Sequence, residues 1–237
     1  PGDSRCQHRG VAMLRVKSIA PLRLEPAELD RRQARYQRLG GDRLDITLVN
    51  LAGDDAPARM DTAEEVAASE RLVAEEILRT DPGRFDVILP DCVLDPGIAD
   101  VADPPVPVAG MLHLVAGHLA SLGRRFAAVT RNQVIGADLA SKVAAYGLSD
   151  ALTGVHVLDV DFCFVSDHAS WSQAMRPLQA TLEAEGTGTL FNGCSAVDLD
   201  SDRLGAVSVV DPTALALRLL TVADGAGLVR PALIGRR

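Results

Sequence analysis

Cys92 and Cys194 are the residues whose chemistry most needs an explanation. Each closely follows an apolar run, "FDVILPD" before Cys92 and "GTLFNG" before Cys194, and they lie 102 positions apart. A thiol and a thiolate on opposite sides of one cleft are an acid and a base. Such a pair can take a proton from a carbon beside a carbonyl and return one on the other face, exchanging roles for the mirror-image substrate. Reacting geometry and a pKa near working pH supply the rate. No metal and no organic cofactor is then required, provided that hydrogen-bond donors stabilise the carbanion. The plain alternative is that free cysteines are simply small buried hydrophobes.

The pattern around the cysteines alternates between strand and helix. Apolar, β-rich runs recur at 14–20, 44–51, 85–90, 106–110, 125–130, 155–160, 188–193 and 206–211. Most are continuous, as strands buried on both faces of a parallel sheet should be. Between them, "EPAELDRRQARYQRLG", "DTAEEVAASERLVAEEILR", "NQVIGADLASKVAAYG" and "DPTALALRLLTVADG" carry helix-start signals, and three of them end at a glycine. The series predicts an α/β fold of two pseudo-symmetric, doubly wound lobes with parallel sheets and an active site in the cleft between them. The first lobe is expected over 13–110 plus 212–237, carrying Cys92. The second is expected over 111–211, carrying Cys194. Residues 1–12 read as a disordered extension. Ligands of open parallel sheets bind beyond the carboxyl ends of the strands, where both cysteines fall. A helix starting beside either one would favour its thiolate through the positive end of the helix dipole.

Composition narrows the function. The 237 residues are 47% hydrophobic and 24% charged, ordinary for a globular chain with a real core. Aromatics are only 3%, so the core is expected to be aliphatic. A net charge of −8 argues against a nucleic-acid or anionic-membrane partner. No apolar run approaches the roughly 18 residues of a membrane span. Four cysteines without a C-x-x-C pair read as reduced thiols in the cytoplasm, with no metal site.

The segments around the cysteines also carry a family resemblance. "CVLDPG" at 92–97 resembles the C-x-x-D-P-G segment of hydantoin racemases, in the aspartate/glutamate racemase superfamily. "VPVAGM", a following helix and "LGRRFAAVT" resemble the stretch between that family's two cysteines, and "NGCSAVDLDSDRL" is similar to its second motif. The resemblance covers about residues 14 to 225. It implies a racemase or epimerase that needs no cofactor and acts on a small carbon-acid substrate, hydantoin-like or amino-acid-like, with Cys92 and Cys194 as the two bases. It further implies Thr130 and Ser195 as donors to the substrate and the Val93 and Ser195 amides as anion-stabilising groups. Relatives often form dimers or larger assemblies, so a homo-oligomer is compatible with it.

The chain departs from the family where substrate is held. The first strand runs into "VKSIAPLRL", in which Ser18 is the small polar residue available, instead of an Asn-Pro-Asn-Thr segment. Leu94 stands two after the first cysteine, where a small or hydroxylic residue is common. "GMLHL" places His113 where many relatives have a glutamate. A more apolar pocket, less suited to an amino-acid head group, is expected.

Other candidates rank lower. His113 and His118 are five apart and do not form an i,i+4 metal pair. Asp159, Asp161, Cys163, Asp167 and His168 read as loop acids around an apolar cysteine. "GTGTLFNG" does not join a strand to a helix as a phosphate loop would. Competing functions are a superfamily decarboxylase, a cis–trans isomerase of a dicarboxylate, and a small-molecule binding protein that kept the fold without the chemistry.

Overall fold

The computed structural model describes residues 12–199 and 202–230. Cys6 and all but the last residue of the extension expected over 1–12 lie outside them. Two sheets organise the chain. The first has the order β2-β1-β3, built from Leu14–Ile19 (β1), Leu44–Val49 (β2) and Val87–Pro90 (β3), all parallel. The second has the order β5-β4-β6-β8-β7. Its strands Phe126–Thr130 (β4), Leu152–Val157 (β5), Thr189–Asn192 (β6) and Val207–Val210 (β8) run parallel. The short Arg203–Leu204 (β7) closes one edge antiparallel to β8.

Seven α-helices lie among the described residues: Pro26–Gly40 (α1), Ala63–Leu78 (α2), Met111–Ser121 (α3), Gln133–Ala145 (α4), His168–Met175 (α5), Leu178–Ala184 (α6) and Pro212–Gly225 (α7). Their starts follow from local chemistry. Thr62 and Glu65 form a reciprocal capping box at α2, and the Asn132 side chain accepts from the Ile135 amide at α4. Asp211 caps α7 ahead of Pro212, whose missing N–H costs nothing at a first helical position.

Strand periodicity sorts the core. Phe126 and Ala128 face the central cluster, together with Leu14 and Val16 of β1, residues of α3 and α7, and Phe191. Ala127 and Val129 face the opposite way, onto Trp171, Met175 and Leu182. Ile19 and Ile88 turn to a third cluster with Leu72, Val73 and Ile77 of α2. One side of each sheet thus looks into a shared interior, which places the carboxyl ends of both sheets within reach of each other.

Three expectations need correction. The run at 106–110 forms only an isolated bridge, Val108 with Ile88, because Pro104, Pro105 and Pro107 cannot donate to a ladder. The strand expected at 155–160 lies at 152–157 and stops where Asp159 takes a left-handed φ of 52°. The stretch 159–168, whose acids read as loop acids, holds a 3-10 turn at Phe162–Val165 and the start of α5, and the short helix α6 follows.

Candidate active site

The carboxyl ends of β1, β3, β4 and β6 open onto one cleft. Cys92, Val93, Cys194 and Ser195 line it, with Pro21, Leu22, Met60, Ile135, Phe162 and Val165 as apolar wall. Both cysteines are free; Cys92 is buried and Cys194 is half-buried.

Motif residues that carry no reactive group explain how the Cys92 loop is held. Asp95, at a left-handed φ of 47°, accepts from the Leu112 and His113 amides at 2.8 and 2.9 Å and so caps α3. Tyr146 donates to the same carboxylate at 2.9 Å. Gly97, at φ 72°, packs against the α2 backbone; an added Cβ would sit 2.9 Å from Ala74 Cα. The D-P-G portion of the motif therefore clamps the loop to two helices.

The second loop is held from the other side. The Gly193 amide donates to Val129 O at 2.7 Å, and Asn192 Nδ2 donates to Cys194 O at 3.0 Å. Ser195 O accepts from Arg35 Nη1 and from Thr213 Oγ1. Ser195 Oγ donates to Asp91 O at 3.0 Å.

The two sulfurs have matching backbone surroundings. The Leu94 amide points at Cys92 Sγ from 3.4 Å, and the Ala196 amide, likewise two residues on, favours the Cys194 thiolate. No helix begins beside either cysteine, since α3 starts at Met111 and α7 at Pro212. Neither thiol is therefore followed in the chain by a helix start, and burial is the largest influence on both. It raises the Cys92 thiol pKa strongly, opposed by the Leu94 amide and reinforced by Asp91. Burial also raises Cys194, with Arg32 and Arg131 pulling it back.

Ser18, Thr130 and His113 are not among the residues lining the cleft, contrary to expectation. Ser18 Oγ donates to Leu89 O at 2.9 Å, and Thr130 Oγ1 donates to Asn132 O at 3.2 Å. His113 stacks on Tyr146 with ring centroids 4.4 Å apart. The acids near Cys163 are caps: Asp161 accepts from the Cys163 amide and Asp167 from that of Ser170. Among the described residues, no group of three or more His, Cys, Asp or Glu side chains is arranged to hold a metal ion, and no helix is long and apolar enough to cross a membrane.

Charged residues missed by the sequence reading line the cleft. Asp91, directly before Cys92, accepts from Arg32 Nη1 at 3.1 Å and from Tyr36 Oη at 2.8 Å. Arg32 Nε reaches Glu28 at 2.7 Å; burial opposes ionisation of Glu28, yet Arg31 and Arg32 hold its carboxyl down to about 2. Arg131 follows β4 directly, donates to Met60 O and Asp61, and lies over the Phe162 ring at 5.4 Å. A charged residue at the carboxyl end of a buried strand was the available signal for Arg131. Arg32 was hidden in an ordinary-looking helical charge run.

Parallel-dominated α/β sheets with two thiols in a cleft at their strand ends define a class of cysteine-bearing α/β proteins. Within that class, the family model for Asp/Glu/hydantoin racemase matches residues 31–220, and the chain belongs to that family. This places it among racemases, in the isomerase class of enzymes. No curated protein matches the chain. Solved structures of similar fold include allantoin racemase from Klebsiella pneumoniae, 21% identical with TM-score 0.75, covering 91% of this chain and 89% of that one. Allantoin racemase from Pseudomonas fluorescens is 17% identical with TM-score 0.74, covering 94% and 98%. The maleate isomerase Iso from Pseudomonas putida S16 is 16% identical with TM-score 0.60, covering 90% and 93%.

Proposed function

We propose that the protein racemises or epimerises a small hydantoin-like or amino-acid-like carbon acid, with Cys92 and Cys194 as its two bases. The observation that carries this reading is the pair of free thiols lining one cleft at the ends of two strands from different sheets. One cysteine, as thiolate, takes the α-proton and becomes a thiol. The other, as thiol, delivers its proton to the opposite face and becomes the thiolate. Protons and charge balance; the enzyme as left accepts the mirror image, and proton exchange of the two thiols with solvent restores the form that accepts the first enantiomer again. Amides near the loops, including those of Val93 and Ser195, are suited to hold the enolate oxygen. No cofactor takes part in these steps, and the enzyme acts as a cytoplasmic protein.

The test is α-proton exchange in heavy water. Single enantiomers of 5-substituted hydantoins, allantoin, aspartate and glutamate are followed by proton NMR and polarimetry, with Cys92→Ser and Cys194→Ser in parallel. The expected result is loss of the α-proton signal with decaying rotation, reduced by about 100-fold or more in either variant, the scale of a positioned acid–base group. Racemisation that persists in both variants overturns the reading. Alkene formation or carbon dioxide release would move the chemistry to an isomerase or decarboxylase.

A further inference from the structure

Donors to the substrate are scarce in this cleft. The three hydroxyls that the sequence pointed to are all spent on backbone carbonyls: Ser18 on Leu89, Thr130 on Asn132 and Ser195 on Asp91. What remains on the side-chain level is guanidinium. Arg131 and Arg32 line the cleft although they are only 5% and 4% exposed, so their small open surface is cleft surface. Arg131 uses Nη2 for both of its protein acceptors, and neither its Nε nor its Nη1 donates to any described residue. Arg32 uses Nε and Nη1, leaving Nη2 without an acceptor among the described residues. None of these nitrogens is among the buried side-chain atoms left without a partner, so each reaches open space and is free to donate to an acceptor on a ligand.

Acceptors show the opposite pattern. Among the described residues Asp91 is the one carboxylate lining the cleft, and Arg32 and Tyr36 both donate to it. Among the described lining residues nothing acidic is therefore left over to pair with a substrate ammonium, while Pro21, Leu22, Met60, Ile135 and Val165 supply apolar surface.

Building on the racemase reading, we propose that the substrate is a carbon acid that carries a carboxylate and lacks a free ammonium, and that Arg131 is the residue selecting it. Charge-assisted hydrogen bonds from a guanidinium to a carboxylate are short and strong, and a site built around them rejects the analogue that lacks the charge. Phe162 under the guanidinium keeps its plane fixed and excludes water from one face.

The experiment uses hydantoin-5-acetate, its uncharged amide and free aspartate. Exchange rates and calorimetric binding are measured on the parent, Arg131→Gln and Arg131→Lys, with circular dichroism and thermal melting to verify that each variant is folded. The expected parent preference for carboxylate over amide is about 10- to 100-fold in kcat/KM or Kd, the size of a hydrogen bond to a charged group. Arg131→Gln should collapse that ratio toward one, Arg131→Lys should keep part of it, and aspartate should bind least. An amide handled as well as the carboxylate, or a preference that survives Arg131→Gln, overturns the proposal. Exchange without charge preference would sink this proposal and leave racemisation standing. Binding of the carboxylate that depends on Arg131, with no exchange of any ligand, would do the reverse. Should Arg131→Gln fail to fold, the carboxylate-to-amide ratios of the parent and Arg131→Lys decide alone.

Discussion

Ser195 Oγ donates to the backbone carbonyl of Asp91 at 3.0 Å, and this bond joins the loop of one cysteine to the loop of the other. The residue after Cys194 is thereby fixed to the residue before Cys92, across a separation of 104 positions. Arg32 and Tyr36 of α1 hold the Asp91 side chain, and Arg35 of the same helix holds Ser195 O. A single helix thus braces both loops, and the spacing of the two sulfurs depends on it.

Removing this link should affect chemistry more than binding. Ser195→Ala leaves a buried carbonyl unpaired, at about 1 kcal/mol. Its melting temperature should fall by about 2–4 °C. We expect kcat to fall by about tenfold for both enantiomers while KM changes by about twofold or less, since proximity is lost and contact surface is kept. A larger change in KM than in kcat would show that the hydroxyl serves the substrate instead.

Arg35 is 3% exposed and makes bonds to Asp198 at 2.8 Å, Asp211 at 2.7 Å and Ser195 O. Arg35→Met should destabilise by about 3 kcal/mol in urea unfolding, because it strands carboxylates that had a fixed partner. Arg35→Lys should recover less than half of that loss. A single ammonium cannot span three acceptors that a planar fork reaches together.

Gly193 is required by close approach. A Cβ there would lie 2.8 Å from Thr130 Cγ2 and closer still to Val129 O. Gly193→Ala should cost about 1–3 kcal/mol by overpacking and displace Cys194, lowering the exchange rate by more than tenfold in NMR assays. Unchanged exchange would mean that the loop absorbs the methyl without moving the sulfur.

The pH dependence follows from burial of both thiols. Their pKa values are raised in the folded protein above the ordinary 9.0. The thiolate base therefore becomes more abundant as pH rises, and exchange should increase with pH and reach no plateau below pH 9.0. Stability should run the other way. A raised pKa contributes stability that is complete below the unfolded value and lost as pH rises past it, so unfolding should become easier above pH 9.0. Cys92→Ala and Cys194→Ala should weaken that alkaline loss in urea titrations.

Much of the fold was legible because each local rule agreed with the next. Thr62 with Glu65, Asn132, and Asp211 with Pro212 start helices by side-chain geometry that involves only neighbours in sequence. Continuous apolar runs such as 126–130 belong to strands buried on both faces, and β4 is buried throughout. The run at 106–110 misled because hydrophobicity says nothing about donors; Pro107 removes one inside the run, and Pro104 and Pro105 remove those just before it. The short helices α5 and α6 were illegible for a related reason. With 8 and 7 residues they are too brief for a periodic stripe to emerge, and packing around Trp171 and Leu182 stabilises them.

The sequence by itself determined the α/β alternation and the place of Cys92 and Cys194 just past two strand ends, because those depend on period, caps and chain order. Tertiary structure alone decided which polar groups face the cleft. Ser18, Thr130 and Ser195 find backbone carbonyls that are distant in sequence or hidden by a turn, while Arg32 and Arg131 are brought to the thiols from α1 and from the end of β4. A hydroxyl or a guanidinium has the same letter wherever it points. Its freedom to meet a ligand depends on partners that only packing of the two sheets supplies.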